Sequence, residues 1–273
     1  MSKAAATEAS KRPIGVFDSG VGGLNSISRI ATNVSPSKNF IFVGDNMNNP
    51  VGNRPKEEIS QIAMNIGHFL AKVPVKMAVV ACNTFSVVAL DELQATFDFP
   101  VVGMAKGVRT AIDTSQTQKI AVMATKATID SHKHIEEAHE LQPAVAVWEQ
   151  ACPDLAHLIE QGHLDDHIVH SSLQQYLDPI IKSGSDTVVL GCTHFPFLMD
   201  LMQHMSGGNK TFIDPAYETA EEVKDILEAQ QLLNSQSAKG KLDICFTKDK
   251  ELAERMTSIL IPPEDFNVRI ITL

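Results

Sequence analysis

At 273 residues the chain is long enough for one large or two medium domains, and 44% apolar with 21% charged residues is the composition of a globular protein, not a disordered or fibrous one. Its 23 Lys and Arg against 33 Asp and Glu give a formal charge of −10 without a basic run, so the clustered cations of a nucleic-acid binder are excluded. If the ligand is an anion, local donors must hold it against the net field.

In chain order, residues 1–12 read as a disordered extension: they are small and polar and lack the apolar core of a leader peptide. From residue 14 a repeated grammar begins, in which a β-branched run is followed by a polar turn and then a helical pattern. The runs fall at 14–17, 40–43, 77–81, 101–103, 120–123, 144–148, 187–190, 211–213 and 243–246, with helix-length stretches such as 56–70 and 86–96 between them. Continuous apolar strands alternating with helices predict an α/β fold with mostly parallel sheets. No stretch of 18 apolar residues occurs, so the expectation is a cytoplasmic protein with no membrane partner.

Two pairs of segments repeat. Ile14-Gly-Val-Phe-Asp-Ser19 resembles Ile120-Ala-Val-Met-Ala-Thr125, and Val79-Val-Ala-Cys-Asn-Thr84 resembles Val189-Leu-Gly-Cys-Thr-His194. Two α/β units with matching strand ends follow. Because ligands bind beyond the carboxyl ends of such strands, two facing units put Cys82 and Cys192 at one cleft. The four cysteines form no C-x-x-C pair, which disfavours a zinc knuckle, and cytosolic thiols stay reduced. Cys82 and Cys192 each lie between a strand and a helical pattern, a position expected to lower a thiol's pKa. Two thiols facing one carbon from opposite sides suit a two-base proton exchange, whereas Cys152 and Cys245 have no matched partner and read as packing.

Asp18 is open to two readings, a group that orients a thiol or a helix N-cap. His194 is either a proton relay or a hydrogen-bonded residue at a helix start. Glu160, taken alone, is a solvated helical residue, and the Gly20, Gly22, Gly23 cluster offers an anion-friendly turn.

The segments Phe17-Asp-Ser-Gly-Val-Gly-Gly23, Val80-Ala-Cys-Asn-Thr84, Thr125-Lys-Ala-Thr128, Ala151-Cys-Pro153 followed by Glu160, and Leu190-Gly-Cys-Thr-His-Phe-Pro196 resemble the successive signatures of bacterial glutamate racemases, in the aspartate/glutamate racemase family. The resemblance runs from about Pro13 to the C-terminus. It implies two pseudosymmetric α/β domains with the active site between them, residues 13–107 plus 214–273 forming the first and 108–213 the second. It also implies an isomerase without a cofactor or metal that supplies D-glutamate for peptidoglycan, with a small acidic amino acid as its ligand and a homodimer left open. Cys82 matches the thiol that acts on the D-enantiomer and Cys192 the thiol that acts on the L-enantiomer. Asp18, His194 and Glu160 match assisting residues, and Asp45 a further carboxylate near the cleft. Ser19, Asn83, Thr84, Thr125 and Thr193, with the turn Pro50, Val51, Gly52, match substrate-binding positions, which Asp18 and His194 share.

The match departs at Val51, where the family carries tyrosine, and at Asn46-Met-Asn-Asn49, which lacks the family arginine. These changes bear on which acidic amino acid is the substrate, aspartate or an inactive, binding-only protein being the alternatives. A Rossmann start is imitated by the glycine cluster and Asp45, but Asn25 occupies the third small position and no G-K-[ST] loop exists. A metal site at His132, His134 and His139, or at His163 and His167, lacks an H-E-x-x-H pattern, and these histidines read as solvated helical faces.

Overall fold

The computed structural model describes residues 8–34, 39–233 and 242–273. Residues 1–7 of the expected extension lie outside the described residues. Residues 8–11 form a helical turn, and the Ser10 carbonyl accepts a hydrogen bond from Lys76 Nζ at 2.7 Å.

Among the described residues, ten strands form two parallel sheets. The first contains β1 (Ile14–Asp18), β2 (Phe40–Gly44), β3 (Met77–Val80), β4 (Val101–Val102), β9 (Leu242–Phe246) and β10 (Phe266–Ile270), in the order β10-β9-β2-β1-β3-β4. The second contains β5 (Lys119–Ala124), β6 (Ala146–Ala151), β7 (Thr187–Gly191) and β8 (Thr211–Ile213), in the order β6-β5-β7-β8. The segment β2-β1-β3-β4 is the counterpart of β6-β5-β7-β8, so the repeated sequences occupy equivalent strands: β1 matches β5 and β3 matches β7. All pairings are parallel, with Phe17 opposite Val80 and Ala124 opposite Gly191.

The strands are apolar throughout because helices cover both faces of each sheet. In β1, Ile14 and Val16 face one layer, with Leu24, Ile27 and Ile30 of α1 (Gly23–Val34), and Phe17 faces the other, with Ile59, Ile66 and Leu70 of α2 (Lys56–Ala71). In β5, Ala121 and Met123 join the first of these cores, which therefore runs through both lobes, while Ile120 and Val122 pack with Val108 and Ala111 of α5 (Val108–Thr114) in a third. Each such Leu, Ile or Phe contributes roughly 1.5–3 kcal/mol by leaving water.

The expected helix at 86–96 is two helices, α3 (Asn83–Val88) and α4 (Leu90–Thr96), the chain bending at Ala89 with φ −119°. The strand expected at 144–148 starts at Ala146 and continues through Glu149 and Gln150, since an edge strand is not enclosed on both faces and tolerates them. Strand β10 carries no apolar run, with only Val268 buried, and its sequence gave no signal. His163 and His167 do not share a helix: His163 bonds Asp166, which caps α9 (His167–Ser183). His134, in α7 (Lys133–Leu141), is buried and not solvated, and burial, helped by the Lys106 charge, pushes its pKa down to about 4.

Candidate active site

Equivalent strand ends of the two sheets meet across one cleft. Asp18 closes β1 and Ser19 follows it; Cys82 follows β3 and occupies the N-cap position of α3. From the other lobe, Thr125 follows β5 and caps α6 (Lys126–Asp130), accepting from Thr128 N, and Cys192 follows β7, ahead of a short 3-10 helix at Phe195–Leu198. The cavity between them is narrow, with about 20 Å³ of room, space for roughly one water molecule. Both thiols line it, with Ser19, the Pro50, Val51, Gly52 turn, Asn83, Thr84, Thr125, Thr193 and His194.

Each thiol has its own polar neighbours. Ser19 Oγ is 3.7 Å from Cys82 Sγ and 3.3 Å from Asp18 Oδ1. Asp18 also accepts from Gly20 N at 2.7 Å and, across the cleft, from Thr193 Oγ1 at 2.8 Å. It is therefore not the N-cap of α1, which begins at Gly23. Burial pushes the Asp18 carboxyl up to about 6, against the pull of His194 and these hydrogen bonds. On the other side Cys192 Sγ is 3.8 Å from His194 Nδ1, and His194 Nε2 bonds Glu160 Oε1 at 2.7 Å. Burial opposes a charge on this ring, but the hydrogen bonds and charges of Cys192 and Glu160 outweigh it and raise the His194 pKa well above its ordinary value.

Glu160, at the end of α8 (Leu155–Glu160), is not solvated. Its side chain is 9% exposed, and its Oε1 accepts from Val21 N at 2.6 Å as well as from His194. The glycine cluster makes this possible: a Cβ on Gly20 would lie 1.8 Å from Glu160 Oε1, and one on Gly22 would lie 2.4 Å from His194 Nδ1. These glycines let the two lobes touch. Further contacts cross the cleft from Thr84 Oγ1 to Thr125 Oγ1 at 2.9 Å and from Ala127 N to Gly52 O at 2.9 Å.

One expectation changes. The helix start does not lower the Cys82 pKa: burial, with the Asp18 charge beside it, raises the thiol far above its usual range, and the Phe85 N–H only partly offsets this. Asp45 does not line the cavity. It is held by Thr247 Oγ1 at 2.8 Å and Asn48 Nδ2 at 2.7 Å, where it joins β2 to the segment after β9. Cys152 and Cys245 are free and fully buried in the cores. The cavity also includes Asn49, Pro153 and Ala156, which were not singled out. Pro153 lies within a motif that was, and Asn49 ends the stretch that departs from the family pattern; nothing in the local pattern marks Ala156.

Residues 14–223 match the Asp/Glu/Hydantoin racemase family. The chain is 38% identical to a glutamate racemase of Herpetosiphon aurantiacus, over 85% of this chain and 91% of that one. That coverage, at that identity, settles the family. This chain belongs to the Asp/Glu/hydantoin racemases. It is also 35% identical to a glutamate racemase of Corynebacterium diphtheriae over 94% of this chain and 96% of the relative. A glutamate racemase isoform of Bacillus anthracis superposes with a TM-score of 0.87 at 34% identity, covering 96% of this chain and 98% of that one. The Francisella tularensis glutamate racemase, solved with D-glutamate, gives 0.85 at 26% identity, with the same coverage. In this racemase-family chain the repeated Cys82 and Cys192 therefore occupy the cleft of a fold shared with glutamate racemases.

Proposed function

We propose that this chain interconverts L- and D-glutamate by proton transfer between two thiols, and that in the cytoplasm it supplies D-glutamate for cell-wall peptide. The observation that carries the reading is the pair Cys82 and Cys192, delivered from equivalent strand ends into one closed cavity.

One thiol starts as the thiolate. It takes the α-proton, the Cα–H bond breaks, and its electron pair stays on Cα and the adjoining carboxylate. The other thiol then gives its proton to Cα from the opposite face and becomes the thiolate. Cys192 takes the proton from L-glutamate and Cys82 from D-glutamate. Burial makes a thiolate at Cys82 a stronger base than one in water, which suits a weakly acidic carbon. Ser19 and Asp18 orient Cys82, and the protonated His194, held by Glu160, passes a proton to and from Cys192. Among the described residues no Lys or Arg lines the cavity. Hydroxyls of Thr84 and Thr125, turned from each other to the substrate, and backbone N–H groups at Val51 and Gly52 hold the carboxylates, while Thr193 keeps its proton on Asp18, and the enclosed site strengthens these bonds.

The test is a circular-dichroism assay of L-glutamate, D-glutamate and aspartate with wild type, Cys82→Ser and Cys192→Ser. Glutamate turnover by wild type with a fall of about 10² to 10⁴ or more in either variant is expected from the loss of a positioned base. Full activity in either variant, or no turnover of glutamate by wild type, contradicts the reading.

A further inference from the structure

Asn49 lies in the stretch where the sequence departs from the family pattern, and the structure places it at the junction of the two assisting systems. Its Nδ2 is 3.3 Å from Glu160 Oε1 in one lobe, and 3.1 Å from Ser19 O and 3.4 Å from Ser19 Oγ in the other. All three are acceptors or can act as one, so the amide must present its nitrogen to them; the flipped amide would set Oδ1 against the Glu160 carboxylate. Glu160 Oε1 thus receives three donors, from Val21 N, His194 Nε2 and Asn49. The other end of the amide, Oδ1, is buried and has no hydrogen-bond partner. Asn83 Oδ1, from the same cavity lining, is likewise buried and unpartnered.

A buried acceptor without a donor is costly, so two of them around one cavity call for a ligand that donates. An acidic amino acid near neutral pH has two carboxylates, which only accept, and a single donor group, its α-ammonium. We infer that Asn49 has two roles in this site. Its Oδ1, with Asn83 Oδ1, seats the substrate ammonium, and its Nδ2 fixes Glu160, and through it His194, against Ser19. The inference rests on the proposed reaction with an acidic amino acid and adds a specificity and positioning residue to it.

Two substitutions separate the roles. Asn49→Ala removes both ends of the amide, whereas Asn49→Asp keeps an acceptor for the ammonium but replaces the donor with a charge facing Glu160. Calorimetric binding of glutamate is compared with that of glutarate, the same dicarboxylate without the ammonium, alongside kcat and its pH profile. In Asn49→Ala glutamate binding is expected to weaken by about tenfold or more, as for loss of one bond to a charged group, with glutarate binding unchanged and kcat reduced. In Asn49→Asp the preference for glutamate over glutarate is expected to survive, while kcat falls and its profile moves to lower pH, where the facing carboxylates share a proton. Equal weakening of both ligands in Asn49→Ala overturns the ammonium seat, and an unchanged kcat and pH profile in Asn49→Asp overturns the positioning role. Wild type that binds glutamate without racemising it contradicts the proposed reaction while leaving the seat testable by binding; wild type that does not bind glutamate overturns both.

Discussion

Burial and hydrogen bonding pull the Asp18 carboxyl in opposite directions, and burial prevails, carrying its pKa from 3.8 to about 6. The folded protein therefore holds this proton more tightly than the unfolded chain does. The protonated form's contribution to stability is complete below about pH 4 and is lost as pH rises through 6, leaving a penalty of about 3 kcal/mol near neutrality. Asp18→Asn keeps the shape and the bond from Gly20 N without the charge, while the Thr193 bond reverses, the new amide nitrogen donating to Thr193 Oγ1. Denaturant titration at pH 8 should show the variant more stable than wild type by up to about 3 kcal/mol, with the difference shrinking toward pH 4. Its racemase activity should fall, and the acid limb near pH 6 in the wild-type kcat/KM profile should disappear. A variant less stable than wild type at pH 8 would contradict the account of a strained, functional carboxylate. The two thiols were legible in the sequence because each repeats the other's setting. The burial of Glu160 was not, since its enclosing partners Val21 and His194 are remote in sequence, and the role of Asn49 likewise depends on contacts that no local pattern records.

Among the elements, the loop between β1 and α1 does the closing. Its glycines replace side chains that would hold the lobes apart, and the backbone N–H groups of Gly20 and Val21 take the carboxylates of Asp18 and Glu160. Gly22→Ala introduces a Cβ 2.4 Å from His194 Nδ1 and 2.6 Å from Thr193 Oγ1, so the imidazole must move away from Cys192. A destabilisation of about 1–3 kcal/mol is expected from the overpacking, together with a fall of 10² or more in kcat from the misplaced relay. Thermal unfolding and steady-state kinetics measure the two effects, and a variant with normal kcat would show that His194 does not need this position. The interior strands could be read from the sequence to within a residue or two because both faces are covered. The edge strands β6 and β10 misled or were silent for the converse reason: a half-open strand such as Phe266–Ile270 has no apolar run to betray it.

At the scale of the molecule, two sheets with the same strand order face each other, and the first is extended by β9 and β10 from the C-terminal part of the chain. The cavity is sealed by bonds that cross from lobe to lobe: Ala127 N to Gly52 O, Val21 N to Glu160 Oε1, and Thr193 to Asp18. A dicarboxylate can enter only when these open. Hydrogen exchange should therefore find the Ala127 and Val21 amides opening more readily than those of β1 and β5, with added protection when glutamate saturates the site. Unchanged exchange at both amides would contradict a cleft that opens and closes. The net charge of −10 makes the seal useful as well as necessary, since donors hold the two carboxylates better once water and the outer field are excluded.

The central claim, that Cys82 and Cys192 exchange protons with opposite faces of one carbon, is tested most directly by racemising L-glutamate in D₂O and analysing both enantiomers during the first turnovers. A proton taken by one thiol in a closed cavity returns only to the enantiomer it came from, while the product receives its hydrogen from the other thiol. The account predicts D-glutamate fully deuterated at Cα and recovered L-glutamate still protonated, with the reverse pattern when the reaction starts from D-glutamate. Equal labelling of both enantiomers from the outset would mean a single base, and would contradict it.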